Sequence, residues 1–314
     1  MIKKDFVSYI MEKSDVKSDE LVEKDIIIHS VLIELSKNRF FRKNFVFKGG
    51  TCLIKCYLGY YRFSEDLDFS WINQDVFKNK SGKQIRKKLS LEINRLLRLL
   101  EGISNKLKLK FEAAKQNQRY VEIGGSNKFV TFKLWYDSAV LKSEQFIKIQ
   151  VNFVELFLYK IKELQAKSLI KFDEKELKFL FPEYSYLVSN PKIKAYDIKE
   201  VLVEKIRAIL TRRGLKRRDF IDVFVIIKEM NRDVAYFKRG IIEKTRFMLR
   251  YEKYLRNIKE KKHISLRFRS GDEQRQLIHP LDKGFNRFLT DFLSFLNDML
   301  CLLNKKKEAK SYEK

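Results

Sequence analysis

The chain has 314 residues, 45% of them hydrophobic, with 11 Gly and 3 Pro, so it can build one large or two modest cores and is neither collagen-like nor low-complexity. Lys and Arg total 67 against 41 Asp and Glu, a net charge of +26 that favours a polyanion as partner: nucleic acid, nucleotide or an acidic surface. The bland alternative is a lysine-rich solvated coat.

Near the start, Asp5 and Glu12 stand where a secretory signal needs an apolar run. The most apolar stretch, Phe285 to Leu303, is broken by Arg287, Asp291 and Asp298. Cys52, Cys56 and Cys301 make neither a disulfide framework nor, with only three histidines, a zinc set. A cytoplasmic protein with reduced thiols and no membrane partner is expected.

In chain order, Leu21, Val22, Ile26 to Ile28, Val31, Leu32 and Leu35 have helical spacing. Phe45-Val46-Phe47 reads as a short strand, followed at once by Gly49-Gly50-Thr51 and a helix to about Tyr60. Leu67 and Phe69 alternate with Asp66 and Asp68, a strand with one apolar and one acidic face. A helix follows over about 83–101, then three alternating segments at 107–111, 130–136 and 147–153, each predicted as a half-buried strand. After about residue 195 the period is helical: 198–212 with Asp197 and Glu200 as a capping pair, a helix from Arg217, then 233–259 and 282–304. The expected fold class is α+β, a mixed sheet flanked by helices with a mainly helical C-terminal half. A soft boundary is placed between 170 and 195, around Pro182 and Pro191, giving regions 1–180 and 181–314.

Two pieces carry chemistry. Glycines between a strand and a helix let the backbone approach a phosphate, the helix start offers free N–H groups, and Thr51 adds a hydroxyl. On a strand, Asp66 and Asp68 point the same way, and two carboxylates so close repel unless a cation sits between them. Mg²⁺, a hard ion that takes one or two carboxylates plus phosphate oxygens, suits that need, as Mn²⁺ would. Further on, seven of the fourteen residues from Lys205 to Arg218 are basic and none is acidic. Lys205 and Arg212 fall on one helix face, as do Asp219 and Asp222. A cation that grips phosphate and a carboxylate that can accept a proton from a hydroxyl are roles phosphoryl chemistry uses beyond a metal.

Phe47-Lys48-Gly49-Gly50-Thr51 followed by Arg62-x-Ser64-x-Asp66-Leu67-Asp68-Phe69 resembles the AbiEii toxin family of abortive-infection nucleotidyltransferases, built on the polymerase-β-like core. Glu204-Lys205-Ile206-Arg207-Ala208, then Arg217-Arg218-Asp219-x-x-Asp222, is similar to that family's second block, and Glu23-Lys24-Asp25 also fits. The resemblance covers about residues 20–230. It implies a nucleotidyltransferase-like core in 1–180 and a helical region that contributes Lys205 and Asp219 or Asp222 to the site. Asp66 and Asp68 would hold the metal. Gly49, Gly50, Thr51, Arg62, Ser64 and Arg212 would contact the nucleotide. One departure stands out: where the family tends to read Lys-Ile-Glu-Ile, this chain reads Lys148-Ile149-Gln150-Val151, and Gln150 can neither carry a metal's charge nor act as a base. Either Asp219 or Asp222 is the base, or the site binds nucleotide with weakened catalysis; Lys148 and Gln150 can still meet sugar or base.

The resemblance further implies transfer of a nucleotide from an NTP, GTP in some relatives, to an acceptor such as a tRNA 3′ end, by a growth-inhibiting toxin whose antitoxin forms no tight complex. A basic run interleaved with aromatics, Arg250 to Arg269, suits such an RNA or is a solvated helix face. The competing readings are a catalytically weak nucleotide- or RNA-binding module on the same scaffold, and a kinase-type phosphotransferase, which lacks its Gly-x-Gly-x-x-Gly loop.

Overall fold

A computed structural model describes residues 2–14, 16–125, 127–171, 173–265 and 277–311, with side chains to residue 304. The chain divides into two compact units, Met1–Glu155 with Ile161–Tyr196 and Leu156–Lys160 with Asp197–Lys314.

The first unit begins with α1 (Lys4–Ser14) and α2 (Asp19–Lys37), the latter started by Ser18, whose side chain accepts from the Leu21 N–H. A short α3 (Arg39–Asn44) leads into β1 (Phe45–Lys48), α4 (Gly49–Leu53) and a π-helical turn over Ile54–Leu58. Then come β2 (Asp66–Trp71), α5 (Gly82–Leu107), β3 (Val121–Gly124), β4 (Phe129–Asp137), β5 (Glu144–Asn152), β6 (Lys162–Gln165), α6 (Glu174–Leu180) and β7 (Lys192–Ala195). The seven strands form one sheet in the order β3-β4-β5-β2-β1-β7-β6. It is mixed: β2 runs parallel to β5 and antiparallel to β1, and β1 is parallel to β7. The fold class is α+β, as expected.

Alternation along the strands gives this sheet two different faces. Phe45, Phe47, Leu67, Phe69, Phe132, Leu134, Ile147, Ile149 and Val151 join one buried cluster with the apolar stripes of α2 (Ile28, Val31, Leu35) and α5 (Leu89, Ile93, Leu96, Leu100). Apolar burial of this kind contributes about 1.5–3 kcal/mol per large side chain. The opposite face carries Lys48, Asp66, Asp68, Lys148 and Gln150, so the helices that stabilise the sheet leave its acidic face uncovered by that cluster.

The second unit contains α7 (Ile198–Thr211), α8 (Arg217–Met230), α9 (Lys238–Met248), α10 (Glu252–Glu260) and α11 (Phe285–Ser311). Phe224 of α8 packs against Phe285 and Phe288 of α11 at 5.3 and 5.2 Å between ring centroids. Lys244 of α9, fully buried, meets the Glu200 carboxylate at 2.6 Å.

Several expectations change. No strand forms at 107–111, because α5 continues to Leu107 and Lys108 closes it in the left-handed region (φ +56°). Lys110 makes only an isolated bridge to Trp135. Asp197 does cap α7, accepting from the Lys199 N–H, but Glu200 is no partner in that cap: it accepts from the Leu158 and Tyr159 N–H groups, 2.8 Å each, and pairs with Lys244. The span 233–259 is three pieces, a 3₁₀ turn at Val234–Phe237 and then α9 and α10.

Candidate active site

The turn from β1 into α4 is shaped by two close approaches. Gly49 sits at φ +80°, and a Cβ there would lie 2.3 Å from Asp68 Oδ2. A Cβ on Gly50 would lie 2.6 Å from Arg62 Nη2 and 3.0 Å from Ser64 Oγ. The glycines thus make room for the chain's own groups: Asp68 leans its carboxylate against Gly49, and buried Arg62 lies against Gly50. The Thr51 hydroxyl bonds Ser64 Oγ at 2.9 Å and donates to the Asp66 carbonyl at 2.5 Å, latching α4 onto β2.

Sheet register assembles the rest of this face. Asp68 is opposite Lys48 on β1 and Gln150 on β5, and Asp66 is opposite Lys148. Both aspartates are half-buried, with side chains on the face away from the hydrophobic cluster. Gln150 donates to Thr131 Oγ1 at 3.3 Å, so an amide occupies the place opposite Asp68. Two half-buried carboxylates, one seated in a glycine cradle, are a hard oxygen donor set that fits Mg²⁺ or Mn²⁺ and leaves most of the shell to phosphate oxygens and water. Among the described residues no three His, Cys, Asp or Glu side chains group as a complete metal cage.

Sequence reasoning missed two networks that hold this face. Glu155, 4% exposed, accepts from Lys48 Nζ (3.0 Å), Ser70 Oγ (3.1 Å), the Tyr196 hydroxyl (2.7 Å) and Asn152 Nδ2 (3.4 Å). Its donors come from four segments, so no local pattern announces it. The second network explains the Glu23-Lys24-Asp25 motif. Glu23 accepts from the Ser138 hydroxyl and the Ala139 N–H, Lys24 reaches Glu65 at 2.5 Å, and Asp25 pairs with fully buried Lys55 at 2.9 Å. Lys24 and Asp25 thereby tie down the chain that precedes Asp66, and Glu23 holds the turn that follows β4. Nearby His29 is buried, its Nε2–H directed to the Ser189 carbonyl, and burial pushes its pKa down to about 3, with Lys55 adding to the effect.

In the helical unit, Lys205 of α7 bridges two carboxylates of α8, Asp219 at 2.8 Å and Asp222 at 2.6 Å, and Arg212 reaches the other oxygen of Asp219. Burial alone raises a carboxyl pKa, but Lys205 and Arg212 together hold Asp219 below its ordinary value. The cluster thus pairs two cations with two carboxylates.

Part of the basic run Arg250 to Arg269 serves the helical unit itself. Lys261 donates to the Ile209, Leu210 and Arg212 carbonyls at the end of α7, and burial lowers its pKa to about 8. Tyr254 lies under the Arg207 guanidinium at 5.8 Å. Phe268 and Arg269 lie outside the described residues. No described helix is long and apolar enough to cross a membrane.

A family model described as "Nucleotidyl transferase AbiEii toxin, Type IV TA system" matches residues 32–311. Two solved structures are similar to the chain. JHP933 from Helicobacter pylori has 16% identity and a TM-score of 0.41, covering 94% of this chain and 97% of that one. A candidate nucleotidyltransferase from H. pylori has 16% identity and a TM-score of 0.44, covering 93% and 98%. A search of the curated proteins gives no match.

Proposed function

The chain belongs to the AbiEii nucleotidyltransferase toxin family, and from that premise we propose that it moves a nucleoside monophosphate from an NTP to an RNA end, with Asp66 and Asp68 as the metal-holding carboxylates. The observation that carries the reading is the Asp66/Asp68 pair on the sheet face opposite the hydrophobic cluster, with the Asp68 carboxylate cradled by Gly49. When bound, Mg²⁺ neutralises phosphate charge as it develops.

The chain's own groups supply position and charge. Gly49, Gly50 and Thr51 set the turn on which the phosphates rest; Arg62 and Ser64 brace it from the loop before β2. Lys148 and Gln150 edge the same face and meet sugar or base. In transfer, the acceptor hydroxyl oxygen bonds to the α-phosphorus, the bond to the bridging oxygen breaks, and pyrophosphate leaves. The hydroxyl proton needs a carboxylate. Gln150 cannot take it, and Asp219 is a weak acceptor because Lys205 and Arg212 hold its pKa down. Asp219 and Asp222 position Lys205, and Arg212 lies beside Asp219. In the cell the activity inhibits growth, and the antitoxin opposes it without a tight complex.

Incubation with each α-labelled NTP, Mg²⁺ and total RNA tests this. Label in RNA, lost in Asp66→Ala, is expected. The amide opposite Asp68 favours one second reading, a nucleotide- or RNA-binding module with weak catalysis. Nucleotide binding without transfer to any acceptor would select it.

A further inference from the structure

The helical unit contains an open groove of about 870 Å³ along α9 that no role above uses. Its rim carries Lys238, Arg239, Arg246 and Arg250, all exposed, against one carboxylate, Glu243. Its floor is apolar and aromatic, with Ile242, Phe247 and Leu302, and Tyr236 stands at its edge 72% exposed. Several cations elsewhere in this unit are held in ion pairs: Lys205 with Asp219 and Asp222, Lys244 with Glu200, Lys228 with Asp282, Arg256 with Glu252. Among the described residues, Lys238, Arg239, Arg246 and Arg250 have no such ion pair; Arg250 rests on the Phe247 ring, 4.9 Å from its centroid.

We propose that this groove binds single-stranded RNA, with phosphates on the four cations and an unstacked base on Tyr236. Arg239 and Arg246 lie seven residues apart, about 10 Å along the helix axis, so the positive groups line a track and do not converge on a point. A track suits successive phosphates better than one anion. An acidic polypeptide would satisfy the charges and leave the exposed tyrosine without purpose, whereas base–aromatic stacking uses both features. The inference goes beyond the transferase reading and does not depend on it.

The test is fluorescence anisotropy of a labelled single-stranded RNA dodecamer with the full chain. For three or four phosphate contacts, log affinity should fall against log salt with a slope of about −2 to −3. Arg239→Glu with Arg246→Glu should weaken binding at least tenfold and flatten the slope by about 1.4. Tyr236→Ala should weaken it by about fivefold or more. Glu243→Lys should tighten it, a gain that misfolding cannot mimic. Unchanged affinity and slope in the double variant would overturn the proposal, as would polyglutamate competing as well as RNA of equal length. Transfer of α-label is measured in parallel. RNA binding through these residues without any transfer leaves the groove standing and removes the transferase reading. Transfer with an unaltered KM for RNA in the double variant does the reverse.

Discussion

Replacing Gly49 by alanine separates a backbone penalty from a site penalty. At φ +80° an L-residue costs about 1–2 kcal/mol whatever surrounds it. The new Cβ also falls 2.3 Å from Asp68 Oδ2, against an ordinary contact of 3.4 Å or more, so the carboxylate has to retreat by about 1 Å. A misplacement of that size in a reacting constellation costs about 10²-fold in rate. Gly59 supplies the control: it has a similar φ of +73°, with nothing within 4 Å of its Cβ position. Both Gly49→Ala and Gly59→Ala should lose stability in urea, Gly59 because it sits at φ +73° and ψ −174°, where side chains are not tolerated. Only Gly49→Ala should lose about 10²-fold in kcat/KM for transfer of α-labelled NMP to RNA, with a raised Mg²⁺ requirement. Equal transfer by the two variants would refute the cradle.

Lys205→Met leaves the buried carboxylates of Asp219 and Asp222 with Arg212 as the remaining cation of the cluster, and should cost about 3–5 kcal/mol in urea unfolding; a loss below about 1 kcal/mol would contradict the pairing. His29 has a folded pKa of about 3, below its unfolded value of 6.5, so the unfolded chain binds the extra proton and stability falls as pH drops from 6.5 towards 3. At pH 5 the loss should be roughly 2 kcal/mol, and His29→Gln, compared with the parent across that range, should remove it. Glu155→Gln strips the charge on which Lys48, Ser70, Tyr196 and Asn152 converge, and should lower stability by about 1–3 kcal/mol in thermal melts. An unchanged melting temperature would show that this network does not hold the face.

What was legible in the sequence depended on how local its cause was. β2, β4 and β5, and the helices α2, α7 and α8, declare themselves by period, and β1 by the apolar run Phe45-Val46-Phe47 just before the glycine pair. The acidic pair was readable for the same reason: Asp66 and Asp68 alternate with Leu67 and Phe69, so they must share the face opposite the core. Short strands such as β3, β6 and β7 carry too few residues to show a period, and the apparent strand at 107–111 is the end of α5 and the chain after it. The structure also turned the glycine pair from a device for approaching phosphate into one that first makes room for Asp68 and Arg62. Glu155 and the Lys55–Asp25 pair were out of reach because their partners lie far away in sequence. The net charge of +26 suggested a polyanion without locating it; pairing in the structure distinguishes the cluster around Lys205 from the unmatched track on α9.

Nucleotidyl transfer by the β2 carboxylates is tested most directly by parallel assays of the parent chain and Asp68→Asn with α- and γ-labelled NTP and total RNA. The parent chain should place α-label and no γ-label on RNA, and Asp68→Asn should abolish the transfer while keeping its fold by circular dichroism. Transfer at the parent's rate by Asp68→Asn, or γ-label appearing on the acceptor, would contradict it.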